Sequence, residues 1–258
     1  MKRNFWIANL TFLVVLSMLI IACDTIWQTS KIQGRVVNPL SNEPVSGVTV
    51  VGTTRSNIAE EQNQVKIVGE TNKKGEFLLK GALPEKEYTL SIAREPYVNS
   101  KRVVVAPEKG KTVLCEEPLF MLQDPGFVGL FAVNMNRTNK IHLPKKHESY
   151  LDFNSGEVPI LGSNDSEIIL IHCRTSSNEE SISAITLMKV EKTKNDNISL
   201  DFTKEKIPVK SFRVGKGIAG EVLVLKATIP KINSLNYYGA YTGFFRRQTY
   251  VFGVEPMQ

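Results

Sequence analysis

The stretch Thr71-Asn72-Lys73-Lys74-Gly75-Glu76-Phe77-Leu78-Leu79-Lys80 decides the fold class. Polar residues lead into a glycine, the residue best able to take a positive φ in a tight turn. Directly after it, Phe77 and Leu79 fall two apart, the spacing that puts side chains on one face of a strand. A turn followed by period-2 alternation predicts a β-hairpin. The same grammar extends in both directions. Short runs of Val, Ile, Leu, Phe and Tyr alternate with clusters of Gly, Asn, Asp, Ser, Lys and Pro at a spacing of about 8 to 15 residues. No helical periodicity of useful length occurs after residue 30. The pattern predicts an all-β chain built from β-sandwiches rather than a parallel α/β sheet.

Two blocks follow from this reading. The first, residues 31–123, carries strand candidates at Ile32–Val37, Val48–Thr53, Val65–Thr71, Glu76–Lys80, Tyr88–Arg94, Lys101–Ala106 and Thr112–Phe120. Seven strands in about 90 residues is the size of one small sandwich. Its linked pieces are Ile32-Gln33-Gly34-Arg35-Val36-Val37, Pro44-Val45-Ser46-Gly47-Val48-Thr49-Val50, Thr71 to Phe77, and Leu83-Pro84 before Tyr88-Thr89-Leu90. Together they resemble the carboxypeptidase regulatory-like domain. The shared features are a strand with an internal Gly, a P-x-x-G-V-x-V second strand and a T-[DN]-x-x-G-x-F turn. The resemblance covers roughly a third of the chain and implies a prealbumin-like sandwich that acts as a folding or interaction module without chemistry of its own. Asn72 stands where that family often has Asp, and both residues cap turns well.

The second block, residues 124–258, resembles no family and is read as a second β-sandwich. Its strand candidates include Phe127–Asn134, Lys140–Leu143, Ile168–Cys173, Ile185–Glu191, Ile198–Phe202, Val209–Val214 and Glu221–Ile229. Tyr241–Phe245 and Tyr250–Val254 flank the polar Arg246-Arg247-Gln248-Thr249 and read as a closing hairpin.

The first 22 residues have another logic. Lys2 and Arg3 precede an apolar run from Phe5 to Ala22, the charged and apolar regions of an export signal. A run of that length also suits a transmembrane helix. The exit, Ile20-Ile21-Ala22-Cys23, decides for the signal, because it resembles the bacterial lipobox. That resemblance implies cleavage before Cys23, acylation of Cys23 by palmitate-type chains, and a lipoprotein held on the inner or outer membrane of the cell envelope. Several acyl chains hold a protein on a bilayer where one does not. Asp24 resembles the inner-membrane retention residue of enteric bacteria. Residues 23–30 then form a lipidated tether to the first sandwich.

Charge and cysteines narrow the partners. The signal takes two of 32 basic residues and none of 26 acidic ones, leaving 30 against 26. This mild excess, in an exported chain, argues against nucleic acid. With Cys23 lipidated, Cys115 and Cys173 remain, too far apart for a metal motif or disulfide framework. Each sits in an apolar run and reads as a buried thiol.

The constellations that carry chemistry elsewhere have plain readings here. Gly215-Lys216-Gly217-Ile218-Ala219-Gly220 matches G-x-G-x-x-G. A dinucleotide site needs a following helix and an acid about 20 residues on; here a strand-like run follows, and no Asp or Glu occurs between Val222 and Val254. It is expected to be a flexible hairpin connection. His142 and His147 lie in a lysine-rich stretch read as a loop, without the converging partners zinc requires. His172 and Cys173 are strand neighbours and point to opposite faces. The metallocarboxypeptidases that carry a regulatory-like domain also have a separate catalytic domain, which nothing in this chain resembles. No metal, cofactor or catalytic residue is therefore expected.

Binding candidates are few. Arg137, Lys140, Lys145 and Lys146 form a basic patch able to face anionic headgroups, although four charges in a loop are more often simply a solvated surface. Tyr237, Tyr238, Tyr241, Phe244, Phe245, Tyr250 and Phe252, beside Arg246 and Arg247, suggest a stacking surface, but alternation assigns about half of them to a core. Tyr238, Arg246, Arg247, Lys145 and Lys146 are the binding candidates, and Cys23 is the lipidation site. The expected function is a lipid-anchored envelope protein whose sandwiches serve structural or binding roles, with an envelope protein or glycan as partner. The alternatives are a glycan-binding lipoprotein, and an accessory subunit or hydrolase with its site in the second block.

Overall fold

A computed structural model describes residues 29–55, 64–92, 96–133, 140–142, 145–147, 152–154, 158–162, 167–175, 185–192, 197–199, 206–231, 233–242 and 248–256. The described residues form strands joined by turns and include no helix, so the all-β class is borne out. Two compact units interleave along the chain. Unit 1 holds the chain to Val36, Val45–Ser91 and Lys101–Pro118; unit 2 holds Val37–Pro44, Ile92–Ser100 and Leu119–Gln258.

Unit 1 is built on β1 (Ser30–Val37), β2 (Thr49–Arg55), β3 (Gln64–Glu70), β4 (Glu76–Ala82), β5 (Glu87–Ile92), β6 (Ser100–Val105) and β7 (Thr112–Leu114). One sheet runs β4-β1-β7 and the other β3-β2-β5-β6. The sequence alternation appears directly as burial: Ile32 and Val36 of β1 are inside, while Lys31, Gln33 and Arg35 face out. Phe77, Leu79, Tyr88 and Leu90 complete the core. Gly34 lies in register with Phe77, and a Cβ there would stand 2.5 Å from the Phe77 ring. The internal glycine of β1 is thus the seat of that ring.

Gly75 takes φ +70°, and the Asn72 side-chain oxygen accepts from the amides of Lys74 (2.8 Å) and Glu76 (3.0 Å). The turn is as the sequence predicts, with one difference. β3 and β4 lie in different sheets, so this turn makes a corner of the sandwich rather than a hairpin within one sheet.

Unit 2 contains β8 (Leu119–Phe120), β9 (Gly129–Val133), β10 (Lys140–His142), β11 (Lys145–His147), β12 (Asp152–Asn154), β13 (Ile160–Gly162) and β14 (Glu167–Arg174). It continues with β15 (Thr186–Lys192), β16 (Asn197–Ser199), β17 (Lys206–Ile207), β18 (Val209–Lys216), β19 (Glu221–Thr228), β20 (Asn236–Thr242) and β21 (Gln248–Glu255). One sheet has the order β10-β9-β14-β19-β18; the other runs β11-β21-β20-β15-β16-β12, with β13 added to β21 and β17 to β15.

The strands β9, β14 and β19 of the five-stranded sheet are buried on both faces. Leu130, Ala132, Ile168, Leu170, Leu225 and Ala227 meet Leu187, Tyr238, Tyr250 and Phe252 of the other sheet in a shared core. On the opposite face Phe131, Ile169, Ile171, Cys173, Val222 and Val224 pack under Leu40, Val98 and Leu122. These last three come from short segments that precede most of unit 2 in sequence. They cover a face that would otherwise expose a row of branched aliphatics to water, at about 25 cal/mol for each Å² of apolar area. The unbroken apolar run of β14 reflects this double burial.

Several sequence expectations change. The closing hairpin exists, but its first strand is β20, five residues earlier than Tyr241, in register from Asn236 opposite Val254 to Thr242 opposite Gln248. Lys140–His142 is a strand, as the candidate Lys140–Leu143 predicts, whereas Lys145–His147, read as part of a loop, is a strand as well. β10 pairs with β9, and β11 pairs with β21 in the other sheet. Thr112–Phe120 divides into β7 and β8.

Candidate functional site

The residues that could carry chemistry converge on one end of β14 and β19 in unit 2. The register is antiparallel, with His172 opposite Leu223, Cys173 opposite Val222 and Arg174 opposite Glu221. On its other side His172 aligns with Leu130 of β9, a member of the shared core. Cys173 packs with Ile171 and Val222 on the far face. The two side chains are therefore separated by the sheet.

Each is also held in its unreactive form. Burial, helped by the Asp124 charge, pushes the Cys173 thiol up to about 11. Burial, followed by the positive Arg174, pulls the His172 imidazole down to about 4, against the weaker pull of Glu221. A thiolate–imidazolium pair needs the reverse shifts. The His172 Nδ1 is buried and has no hydrogen-bond partner among the described residues. Among the described residues, then, no group orients this ring through Nδ1 in the way a catalytic base is oriented.

Next to it lies a charge ladder across three strands. Arg174 donates from Nε to Glu221 Oε2 at 2.8 Å, and its Nη2 meets the same oxygen. Arg213 of β18 approaches Glu221 Oε1 with its Nε at 2.7 Å. Arg174 and Glu221 are almost fully buried, whereas Arg213 is mostly exposed. A buried arginine paired by two nitrogens to one carboxylate is a fixed cross-strand tie.

The G-x-G-x-x-G segment is the β18–β19 hairpin, closed by a bond from Gly217 N to Gly220 O at 2.7 Å. Its glycines are set by close approach rather than by a ligand. A Cβ at Gly215 would strike the backbone oxygen of Asn99, and one at Gly220 (φ +153°) the backbone oxygen of Arg174. A Cβ at Gly217 would stand 2.6 Å from the Asp124 carboxylate. Asp124 clamps the tip: its Oδ2 accepts from Ile218 N at 2.5 Å, and its Oδ1 from Gly126 N at 2.9 Å. The connection is a hairpin turn, as the sequence predicts, with its glycines closely packed and its tip bonded to Asp124.

Of the aromatic candidates, Phe244 and Phe245 lie outside the described residues, and Tyr237, Tyr238, Tyr250 and Phe252 are buried. Tyr237, Tyr238 and Tyr250 are 8%, 2% and 1% exposed, and Tyr238 stacks on Phe252 with ring centroids 5.9 Å apart. Burial raises the hydroxyls of Tyr238 and Tyr250. Tyr238 is thus a core residue and offers no face to a sugar. Lys145 and Lys146 sit in β11, opposite Tyr250 and Thr249 of β21. Cys23, Arg137, Arg246 and Arg247 lie outside the described residues. Cys115, just past β7 in unit 1, is half-buried. Burial raises its thiol, with Arg102 acting in the opposite sense. Among the described residues no group of three or more His, Cys, Asp or Glu is placed to hold a metal ion.

Sequence reasoning missed the Asp124 clamp and the Arg174–Glu221–Arg213 ladder. The partners lie 94 and 47 residues apart in the chain, beyond any local pattern. The only local signal was the glycine triplet itself.

No protein-family model and no curated protein matches this sequence. Among solved structures, 88% of the chain aligns with a DUF3823 family protein from Bacteroides ovatus at 10% identity and TM-score 0.26, covering 99% of that chain. A DUF3823 family protein from Parabacteroides merdae aligns over 88% of this chain and 98% of its own, at 15% identity and TM-score 0.25. The major pilin SpaD from Corynebacterium diphtheriae aligns over 88% of this chain and 64% of its own, at 8% identity and TM-score 0.29.

Proposed function

We propose that this protein is a lipid-anchored protein of the cell envelope, held by acyl chains on Cys23, whose β-sandwiches are non-catalytic modules for structural or binding work. The observation that carries the non-catalytic part is the separation of His172 from Cys173 by the sheet, each with its pKa moved away from use. The anchor rests on Lys2-Arg3, the apolar run and Ile20-Ile21-Ala22-Cys23. In this proposal unit 1 is built around a carboxypeptidase regulatory-like domain. The Gly75 turn and the Phe77–Gly34 contact support it. The partner is an envelope protein or a glycan. Burial of Tyr237, Tyr238 and Tyr250 favours the protein, since these rings cannot stack a sugar.

Cross-linking the native protein in its own membrane tests this reading, together with metal analysis and a peptidase, esterase and glycosidase screen. The expected outcome is a reproducible envelope partner, no turnover and no stoichiometric zinc. Turnover abolished by His142→Ala or His172→Ala would overturn it.

A further inference from the structure

The clamped β18–β19 tip has an outer surface that its packing does not explain. Asp124 ties two loops together, and both present apolar side chains to solvent. Ile218 is 78% exposed, Phe127 51% and Val128 44%. The inner side of the Phe127 ring rests on Phe131, with centroids 5.1 Å apart, which fixes the side chain in place. Gly126, between Asp124 and Phe127, has φ +86°, and a Cβ there would meet no atom of the described residues within 4 Å. Three glycines and a carboxylate hold this turn with an isoleucine outward, beside two further exposed apolar side chains on the loop that Asp124 ties to it.

The charge beside it points to the occupant. Lys210 and Lys216 are exposed along β18, which has no acidic residue of its own; Arg213 on the same strand is paired with Glu221, the residue opposite Lys216. Lys216 directly precedes the turn, while the nearby Asp124 carboxylate is engaged by two amides. Apolar side chains at a tip with lysine behind them match a bilayer interface, where hydrocarbon lies beneath anionic headgroups.

We infer that the Asp124-clamped tip, with Ile218, Phe127 and Val128 outermost and Lys216 behind them, inserts into the interface of an anionic bilayer. The inference deepens the membrane-anchored reading and rests on it only for the nearness of a bilayer. Anchoring makes the insertion intramolecular, so a shallow and individually weak contact suffices. Insertion would fix how unit 2 faces the membrane.

Photo-cross-linking tests this with the full chain reconstituted into phosphatidylglycerol–phosphatidylethanolamine vesicles. A benzophenone side chain replaces Ile218 in one sample and Lys73, in the exposed Asn72–Gly75 turn, in another. Phospholipid adducts should form at position 218 well above the position 73 level. Lys216→Gln should lower the yield at 218 about fivefold, the factor equivalent to the ~1 kcal/mol that one cation gains beside an anionic surface. Yields at 218 no higher than at 73, or adducts there to protein alone, would overturn the inference. Because the readout is lipid contact at position 218, it stays separate from acylation at Cys23. Adducts at 218 on an unacylated chain would sink the anchor and keep the tip.

Discussion

His172 and Cys173 are adjacent in β14 yet lie on opposite faces of one sheet, His172 in register with Leu130 of the shared core and Cys173 packed on Val222 beyond it. The consequence is electrostatic as well as geometric. Burial keeps the imidazole neutral and the thiol protonated, so the pair that hinted at catalysis is held uncharged on opposite faces of the sheet.

The depressed His172 pKa predicts a pH signature. Its folded value of about 4 lies below the 6.5 of an unperturbed imidazole. Between those values the unfolded chain binds a proton that the folded chain does not, so stability falls as pH drops from 6.5 towards 4. The loss approaches about 3 kcal/mol at most. Chemical denaturation across this window should show it, and His172→Leu should flatten the curve. Identical pH dependence in the two proteins would contradict the assignment.

The Arg174–Glu221 tie should behave as a buried pair. Arg174→Met leaves the nearly buried Glu221 with only the exposed Arg213 and should destabilise by about 3 kcal/mol. Arg213→Met should change stability by well under ~1 kcal/mol, because that side chain is mostly in water. Equal losses from both substitutions would mean that burial does not set the energetics here.

Asp124 and Gly217 should be energetically coupled. Gly217→Ala drives a methyl against the Asp124 carboxylate and should be destabilising alone. In an Asp124→Ala background the same change should be milder by ~1 kcal/mol or more. Gly215→Ala meets backbone instead of a movable side chain, so no neighbouring truncation should rescue its loss of about 2 kcal/mol. Additive behaviour of Asp124 and Gly217 in a thermal-melt cycle would contradict the clamp.

In unit 1, Gly75→Val places a β-branched residue at φ +70° and should cost about 1–3 kcal/mol. Asn72→Ala removes the acceptor for two amides and should cost about 1 kcal/mol. An unchanged melting temperature for Gly75→Val would show that the corner tolerates side chains.

The particular residues explain what was legible in sequence. β1 and β4 were readable because each has one wet face, so Ile32 and Val36, or Phe77 and Leu79, alternate with polar neighbours. β14 was readable as a continuous apolar run, but not which partners cover its second face. Leu40 and Val98 stand in turn-rich stretches and Leu122 ends the short run Leu119-Phe120-Met121-Leu122, and only folding brings the three together. β20 was displaced because Gly239 inside it reads as a breaker, although it pairs in register with Val251. β11, β12, β13 and β17 are two or three residues long, and most carry lysine or asparagine in place of an alternating pattern. At the site, strand parity correctly separated His172 from Cys173. The ion-pair ladder and the Asp124 clamp depend on register across strands, which no local spacing encodes.

The central claim is that this chain is held on a membrane through Cys23, and fatty-acid labelling tests it most directly. Cells expressing the full chain are fed an alkyne fatty-acid analogue, and the protein is isolated and probed for label. The account predicts label on the wild type and none on Cys23→Ser, with the variant retaining its N-terminal segment. Equal labelling of the two, or an unlabelled wild type, would contradict it.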